Sequence, residues 1–296
     1  MLQIVPRLGK KIFVLVALVL AGFDPSAQEA PTFRSTARLV PIYATVRAAD
    51  GRLLTSLNRQ DFEVLDNGQP RAITQFSSHP VPIVGVALWD VSPSMAPSID
   101  RLRAAARSFV DALWPDDRIR FGSFSEEVAF SPLLTFDKAI LRRIIDEELW
   151  PGRSGSPVWT ALREGMSHLR RESGRRVLVV LSDGEAVEQA STKDDVERQL
   201  QEIDCMVYAI GLEGRRFSLA LRNIAEFSGG GFSTLGAGVS LDDQFRTVVA
   251  ELHHQYLIGF VPEAQDGLSH AVTLHVKVAG ANVRARRAYI APSRRP

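Results

Sequence analysis

The chain predicts an α/β protein: a doubly wound, mostly parallel open sheet flanked by helices, with a small β element built from the N- and C-terminal segments. Three observations carry this. "IVGVALWD" (83–90) and "RRVLVVLSDGE" (175–185) are continuous apolar runs that close on an acid, as strands buried on both faces of a parallel sheet do. Between and after them lie segments with apolar residues at helical spacing. Outside them, at both ends, apolar and polar residues alternate as in half-exposed strands.

The elements follow in order. Residues 37–47 ("ARLVPIYATVR") are rich in β-formers, and Pro41 points to an edge or a bulge. Asp50-Gly51 supplies a turn. In "DFEVLDNGQPRAITQFSS", Asn67-Gly68 marks a hairpin. Residues 33–80 are thus expected to form an N-terminal β element, ending at "HPVP" (79–82), since proline cannot continue a ladder. The α/β domain is expected over 82–252. After strand 83–90, Ile99, Leu102, Ala106, Phe109, Val110 and Leu113 predict a helix. "DRIRFGSFS" predicts a strand, and "AILRRIIDEEL" and "VWTALREGMSHLR" predict helices. "KDDVERQLQEI" is read as a helix, "CMVYAIGL" as a buried strand and "LALRNIAEFSGG" as a helix stopped by glycine. The last helix is expected over Leu241–Tyr256. From 253 to 292 the pattern is β again: Val272, Leu274, Val276 and Val278 alternate with polar residues, and "NVRARRAYIA" completes an expected hairpin packing with the N-terminal element. The arginines of "VRARRAY" are read as one solvated strand face.

The N-terminus reads as a secretory signal peptide. Arg7, Lys10 and Lys11 precede the apolar run Ile12–Phe23, followed by the small residues of "DPSAQEA". The run is short for a membrane span, which needs about 20 residues. Cleavage after Ala27 is expected, leaving 1–27 as leader and the mature chain periplasmic or extracellular without a span; the alternative is an uncleaved anchor. The 296 residues carry a formal net charge of +1, which gives no reason to expect a nucleic-acid partner. The single cysteine, Cys205, excludes an intrachain disulfide and falls in a buried strand, where an inert thiol is expected.

In open α/β sheets the functional crevice lies beyond the carboxyl ends of the strands. Asp90 and Asp183 sit at two such ends. If their strands are neighbours, the two carboxylates approach closely, and a cation is the simplest compensation. Alternation along an extended loop places Ser92 and Ser94 beside Asp90. An all-oxygen set poor in carboxylates suits a hard divalent cation, magnesium first. Zinc lacks support: no cysteine or paired-histidine spacing occurs, and adjacent His253 and His254 cannot share one helix face. Glu185 is read as solvated surface, and Trp89 as packed in a neighbouring layer.

"DVSPS" (90–94) resembles the D-x-S-x-S motif of von Willebrand factor type A domains, and "VVLSDGE" resembles the family's "TDG" segment. The family also brings a threonine from a glycine-rich loop before a helix. In "GRSGSPVWTAL" Ser156 stands at that place, with Ser154 and Thr160 as nearby alternatives. Serine keeps the oxygen but loses the methyl that stiffens the rotamer. The resemblance implies a metal-ion-dependent adhesion site at Asp90, Ser92, Ser94, Ser156 and Asp183. It implies Mg2+ (or Mn2+ or Ca2+) there, with one coordination position completed by an Asp or Glu carboxylate of a partner protein. It also implies that ligation couples to movement of the final helix. The segments flanking the domain resemble a von Willebrand factor A-related group known from Acidobacteria.

The functional expectation is therefore a non-enzymatic, exported binding module. The alternative is a magnesium-dependent phosphoryl hydrolase with Asp90 as nucleophile. Ser92 argues against it, standing where an acid would protonate the leaving group, and no G-x-S-x-G elbow occurs.

Overall fold

The structure, a computed structural model, describes residues 39–182, 190–212, 219–235 and 240–293. These lie in one compact unit, Ala37–Pro296. The expected leader 1–27, Asp183 and Glu185 lie outside the described residues.

Four strands open the described chain: β1 (Val40–Arg47), β2 (Phe62–Asp66), β3 (Gln69–Arg71) and β4 (Ile73–Ser77). Asn67 and Gly68, at φ 49° and 78°, turn β2 into β3 as the Asn-Gly signal requires. An exposed connector through Pro80 and Pro82 leads to β5 (Ile83–Asp90), buried at every residue. Then come α1 (Ile99–Ala112), β6 (Arg118–Phe124), β7 (Val128–Phe130), α2 (Lys138–Glu148), α3 (Val158–Leu169), β8 (Arg175–Leu181) and α4 (Lys193–Glu202). β9 (Cys205–Leu212), α5 (Leu219–Phe227), β10 (Phe232–Leu235) and α6 (Leu241–His253) complete the alternating stretch. The chain ends with β11 (Tyr256–Phe260), β12 (Ser269–Val276), β13 (Asn282–Arg284) and β14 (Ala288–Ile290).

The central sheet has the order β10-β9-β8-β5-β6-β7, parallel except for the antiparallel edge strand β7. Alternation along its strands sorts side chains onto two faces. Ala87, Trp89, Val177, Val179, Tyr208 and Ile210 pack with α1, α2 and α6. Val86, Leu88, Leu178, Val180, Val207 and Ala209 pack with α3, α4 and α5. Trp89 is a core residue, in edge contact with Phe109 and Phe121. On α6 the stripe Phe245, Val249 and Leu252 is buried, each side chain contributing on the order of 1.5–3 kcal/mol.

The terminal segments form two four-stranded sheets, β13-β1-β11-β4 and β14-β12-β2-β3, around a third core of residues such as Ile42, Val64, Ile258, Phe260 and Leu274. Pro41 pairs with Gly259 of β11, while on its other side β13 pairs β1 only from Thr45 onward, so its missing N–H faces an edge.

Three expectations need correction. The C-terminal segment is not a hairpin: β13 joins β1 in one sheet, whereas β14 pairs with β12 in the other. The arginines of "VRARRAY" do not share a solvated face either. The chain switches sheets between β13 and β14, which breaks the alternation. Arg286 turns inward, donating to the Ala288, Leu200 and Gln201 carbonyls, and Arg284 pairs with Glu251; Arg287 remains exposed. The last helix ends at His253, and Tyr256 already belongs to β11.

Candidate functional site

The site forms where β5 leaves the sheet. Asp90 is its last residue and is fully buried. Val91 N–H donates to Phe124 O at 3.0 Å, which holds the outgoing chain against the end of β6. Pro93–Ser98 then form a short 3-10 turn, so the loop closes on itself within a few residues.

Asp90 gathers hydrogen bonds from three directions. Ser92 N–H donates to Oδ1 at 2.9 Å, an Asx-type closure of its own loop. Ser156 Oγ donates to Oδ2 at 3.2 Å, from the turn before α3. Ser182 Oγ donates to the same oxygen at 2.5 Å, from the end of β8. Ser92 Oγ lies 3.1 Å from Ser94 Oγ, so the alternate serines of "DVSPS" do share a side. Ser92, Ser156 and Ser182 are buried, and Ser94 is half-buried. Strands β5 and β8 are parallel neighbours, as the approach of Asp90 and Asp183 requires; Asp183 itself follows Ser182 and lies outside the described residues.

The loop carrying Ser156 is shaped by glycine and by one acid. A Cβ on Gly152 would sit 1.8 Å from Ser125 Oγ, and Gly155 takes φ 72°, so neither position accommodates a side chain without strain. Gly152 N–H donates to Val91 O at 2.7 Å, fastening this loop to the one after Asp90. Glu126 Oε2 accepts from Arg153 N–H (2.9 Å), Ser154 N–H (3.3 Å) and Ser125 Oγ (2.8 Å). The Arg153 amide first, then the Ser125 hydroxyl, hold the Glu126 carboxyl down at about 2. Of the three candidate hydroxyls, Ser156 is the one brought to Asp90. Ser154 is exposed with its backbone tied to Ser125 and Glu126, and Thr160 lines a separate surface cavity with Glu126 and Glu164.

Sequence reasoning missed Ser182 and Glu126. Ser182 was visible as the residue before Asp183 in "VVLSDGE"; Glu126 carries no local signal. Among the described residues no group of three or more His, Cys, Asp or Glu converges. The donors among the described residues are the buried Asp90 carboxylate and serine hydroxyls, whose oxygens fit a hard divalent cation. Cys205 is buried, and burial pushes its thiol up to about 12, as expected of an inert core residue.

The von Willebrand factor type A domain model matches residues 86–240, spanning β5 to the start of α6. A Rossmann-like sheet with this site at its strand ends defines the class, and the chain belongs to the von Willebrand factor type A domain family. No curated protein matches the sequence. Similar solved structures include BatB from Bacteroides thetaiotaomicron (14% identity, 58% of this chain and 98% of that one, TM-score 0.49). Others are a von Willebrand factor type A protein from Catenulispora acidiphila (14%, 88% and 76%, 0.48) and the vWF domain of the type V pili tip protein Mfa5 from Porphyromonas gingivalis (14%, 58% and 97%, 0.44). Likenesses of this size bear on neither ligand nor partner. No helix among the described residues is long and apolar enough to cross a membrane.

Proposed function

We propose that the chain is an exported binding module in which Asp90, Ser92, Ser94, Ser156 and Asp183 hold a divalent cation, magnesium first, that receives an Asp or Glu carboxylate from a partner protein. The observation that carries this is the convergence on Oδ2 of buried Asp90 of the Ser182 hydroxyl, from the neighbouring strand end, and the Ser156 hydroxyl, from the turn before α3. Bound there, the cation supplies a positive centre for an incoming carboxylate, a charge-assisted contact strengthened by partial desolvation. The residues of the chain do the positioning. Asp90 is fixed by its own loop through Ser92 N–H, and the Gly152–Val91 hydrogen bond keeps Ser156 in register with it. Ser182 extends the hydroxyl set expected from the sequence.

The reading assigns 1–27 to a cleaved leader, 82–252 to the binding domain, and 33–80 with 253–292 to the β element that carries it. No observation favours the hydrolase alternative. Calorimetry decides the site: saturable magnesium binding is expected in the wild type and none in Asp90→Ala, and an unchanged isotherm in the variant overturns the assignment. Capture of a partner from an exported fraction is expected to be abolished by EDTA and by the same substitution. Sequencing the mature N-terminus tests export, and an intact Met1 counts against cleavage.

A further inference from the structure

A cavity of about 400 Å3 opens where the terminal β sandwich meets α6 and the β9–β10 edge of the central sheet. It shares no lining residue with the candidate metal site. Its floor is apolar, made by Ile210 of β9, Phe232 of β10 and Val248 of α6. One wall is charged. Arg47 of β1 and Arg284 of β13 both pair with Glu251 of α6, and Glu251 Oε1 also accepts from Tyr208 Oη at 2.8 Å. Two guanidiniums therefore share one buried carboxylate, and this end of the cavity carries a surplus positive charge. Among the described residues the other acid at the rim is Asp243, about two helical turns away, exposed and engaged with Ser240 and Arg246. Arg284 lines the cavity, but its Nε and Nη2 are buried out of reach of solvent, which leaves Nη1 to meet a ligand. Burial also pulls the Arg284 pKa down.

We propose that this cavity binds a small organic monocarboxylate with an apolar body, its carboxylate on Arg284 and its body over Phe232, Ile210 and Val248. The volume matches a small-molecule site, generally about 300–1,000 Å3. Arg284 Nη1 and the neighbouring Arg47 guanidinium offer charged donors to a carboxylate. An inorganic anion would satisfy Arg284 but leave the apolar floor wet. A neutral apolar molecule would cover the floor but leave the surplus positive charge without a counter-ion.

The test is calorimetric titration of the full chain with benzoate and octanoate in EDTA, which separates this site from any carboxylate held by a metal. Saturable binding of one acid per chain is expected, with a Kd below about 1 mM. Acetate, which lacks the body, and benzyl alcohol, which lacks the charge, are expected to bind at least about tenfold more weakly. Arg284→Gln is expected to weaken benzoate at least about tenfold. Thr247→Trp, at an exposed position on the cavity mouth, is expected to block it with the arginine pair intact, and it decides the matter if Arg284→Gln does not fold. Absence of saturable binding, equal binding of benzyl alcohol, or benzoate affinity unchanged in Thr247→Trp overturns the proposal. Because EDTA is present throughout, loss of the magnesium reading leaves this result untouched, and the reverse also holds.

Discussion

At the amino end of the central sheet Asp117 meets an imidazole and two backbone amides, whereas at the carboxyl end Asp90 meets one backbone amide and serine hydroxyls. Asp117 accepts from Ile83 N–H (2.9 Å) and Trp114 N–H (2.6 Å), and both its oxygens lie 2.9 Å from His253 Nε2. His253 stacks on Trp114 with ring centroids 3.7 Å apart. Beside them the buried Arg175 donates to the carbonyls of Leu252, His253 and Gln255, closing the end of α6 as it turns into β11. These groups are held by fixed backbone and rigid rings. The groups around Asp90 include rotatable hydroxyls that can turn their lone pairs toward something else. The amino end is held by partners of fixed direction, and the carboxyl end mixes one such amide with hydroxyls that can turn.

Stability measurements break or sharpen that contrast, and the largest effect is expected at the amino end. Asp117→Ala strips an acceptor from two backbone amides and from His253, and Arg175→Met strips a donor from three carbonyls. Each is expected to cost roughly 3 kcal/mol or more in urea unfolding. Asp90→Ala in EDTA is expected to cost less, about 1 kcal/mol, because only the Ser92 amide loses a fixed acceptor, the hydroxyls can re-pair and a buried carboxylate no longer has to be desolvated. Magnesium should then stabilise the wild type by mass action and leave Asp90→Ala unmoved. If Asp90→Ala proves as damaging as Asp117→Ala, Asp90 is a structural charge and the contrast fails.

The coupling of the site to a sliding α6, implied by the family resemblance, meets this same amino end. Moving α6 along its axis would break the Arg175 carbonyl contacts, the His253–Asp117 pair and the Glu251 ion pairs together. Hydrogen exchange in α6 with and without magnesium is the direct measure, and little change is expected.

A smaller effect is expected in the sandwich. His270 Nδ1 lies 2.9 Å from Asp66 Oδ1, Nε2 lies 3.3 Å from Asp266 Oδ2, and Tyr289 Oη donates to Asp66 at 3.0 Å. Burial pulls the His270 pKa down, but the hydrogen bonds and charges of Asp66 and Asp266 outweigh it, and the net direction is up. A raised folded pKa means that the stabilisation is complete below the unfolded value, about 6.5, and fades as pH rises through the folded value. The urea midpoint of wild type should fall relative to His270→Gln over that window. Parallel pH profiles would show that the imidazole is not bound as a cation.

Much of the fold was legible because long apolar runs leave little choice. β5, β8 and β9 read directly as buried strands, and their ends put Asp90 and Ser182 on one edge of the sheet. β7 and β10 were not legible: three and four residues are too few to show a period. Arg284 and Arg286 misled because alternation holds only within one strand, and the chain changes sheets between them. Arg175 reads like any arginine at the start of a strand, since its partners are carbonyls some 80 residues away. At the site, the "DVSPS" loop is a local pattern and could be read, while Glu126 acts through backbone amides of a distant loop and could not.

Glu126 carries the smallest expected effect and the most local one. Its carboxylate holds Arg153 N–H and Ser154 N–H, while Gly152 N–H is held separately by Val91 O. Glu126→Gln keeps the shape but weakens the acceptor, so amide exchange at Arg153 and Ser154 should rise about tenfold at neutral pH. Exchange at Gly152 should barely change. The depressed carboxyl sets the pH sign: the contact is fully present above the unfolded pKa and is lost only as pH falls through about 2. Acid in the ordinary carboxylate range should therefore leave the loop closed in wild type. If all three amides accelerate together in the variant, the loop is a single unit hinged on Glu126, and Ser156 depends on an acid outside the motif for its place beside Asp90.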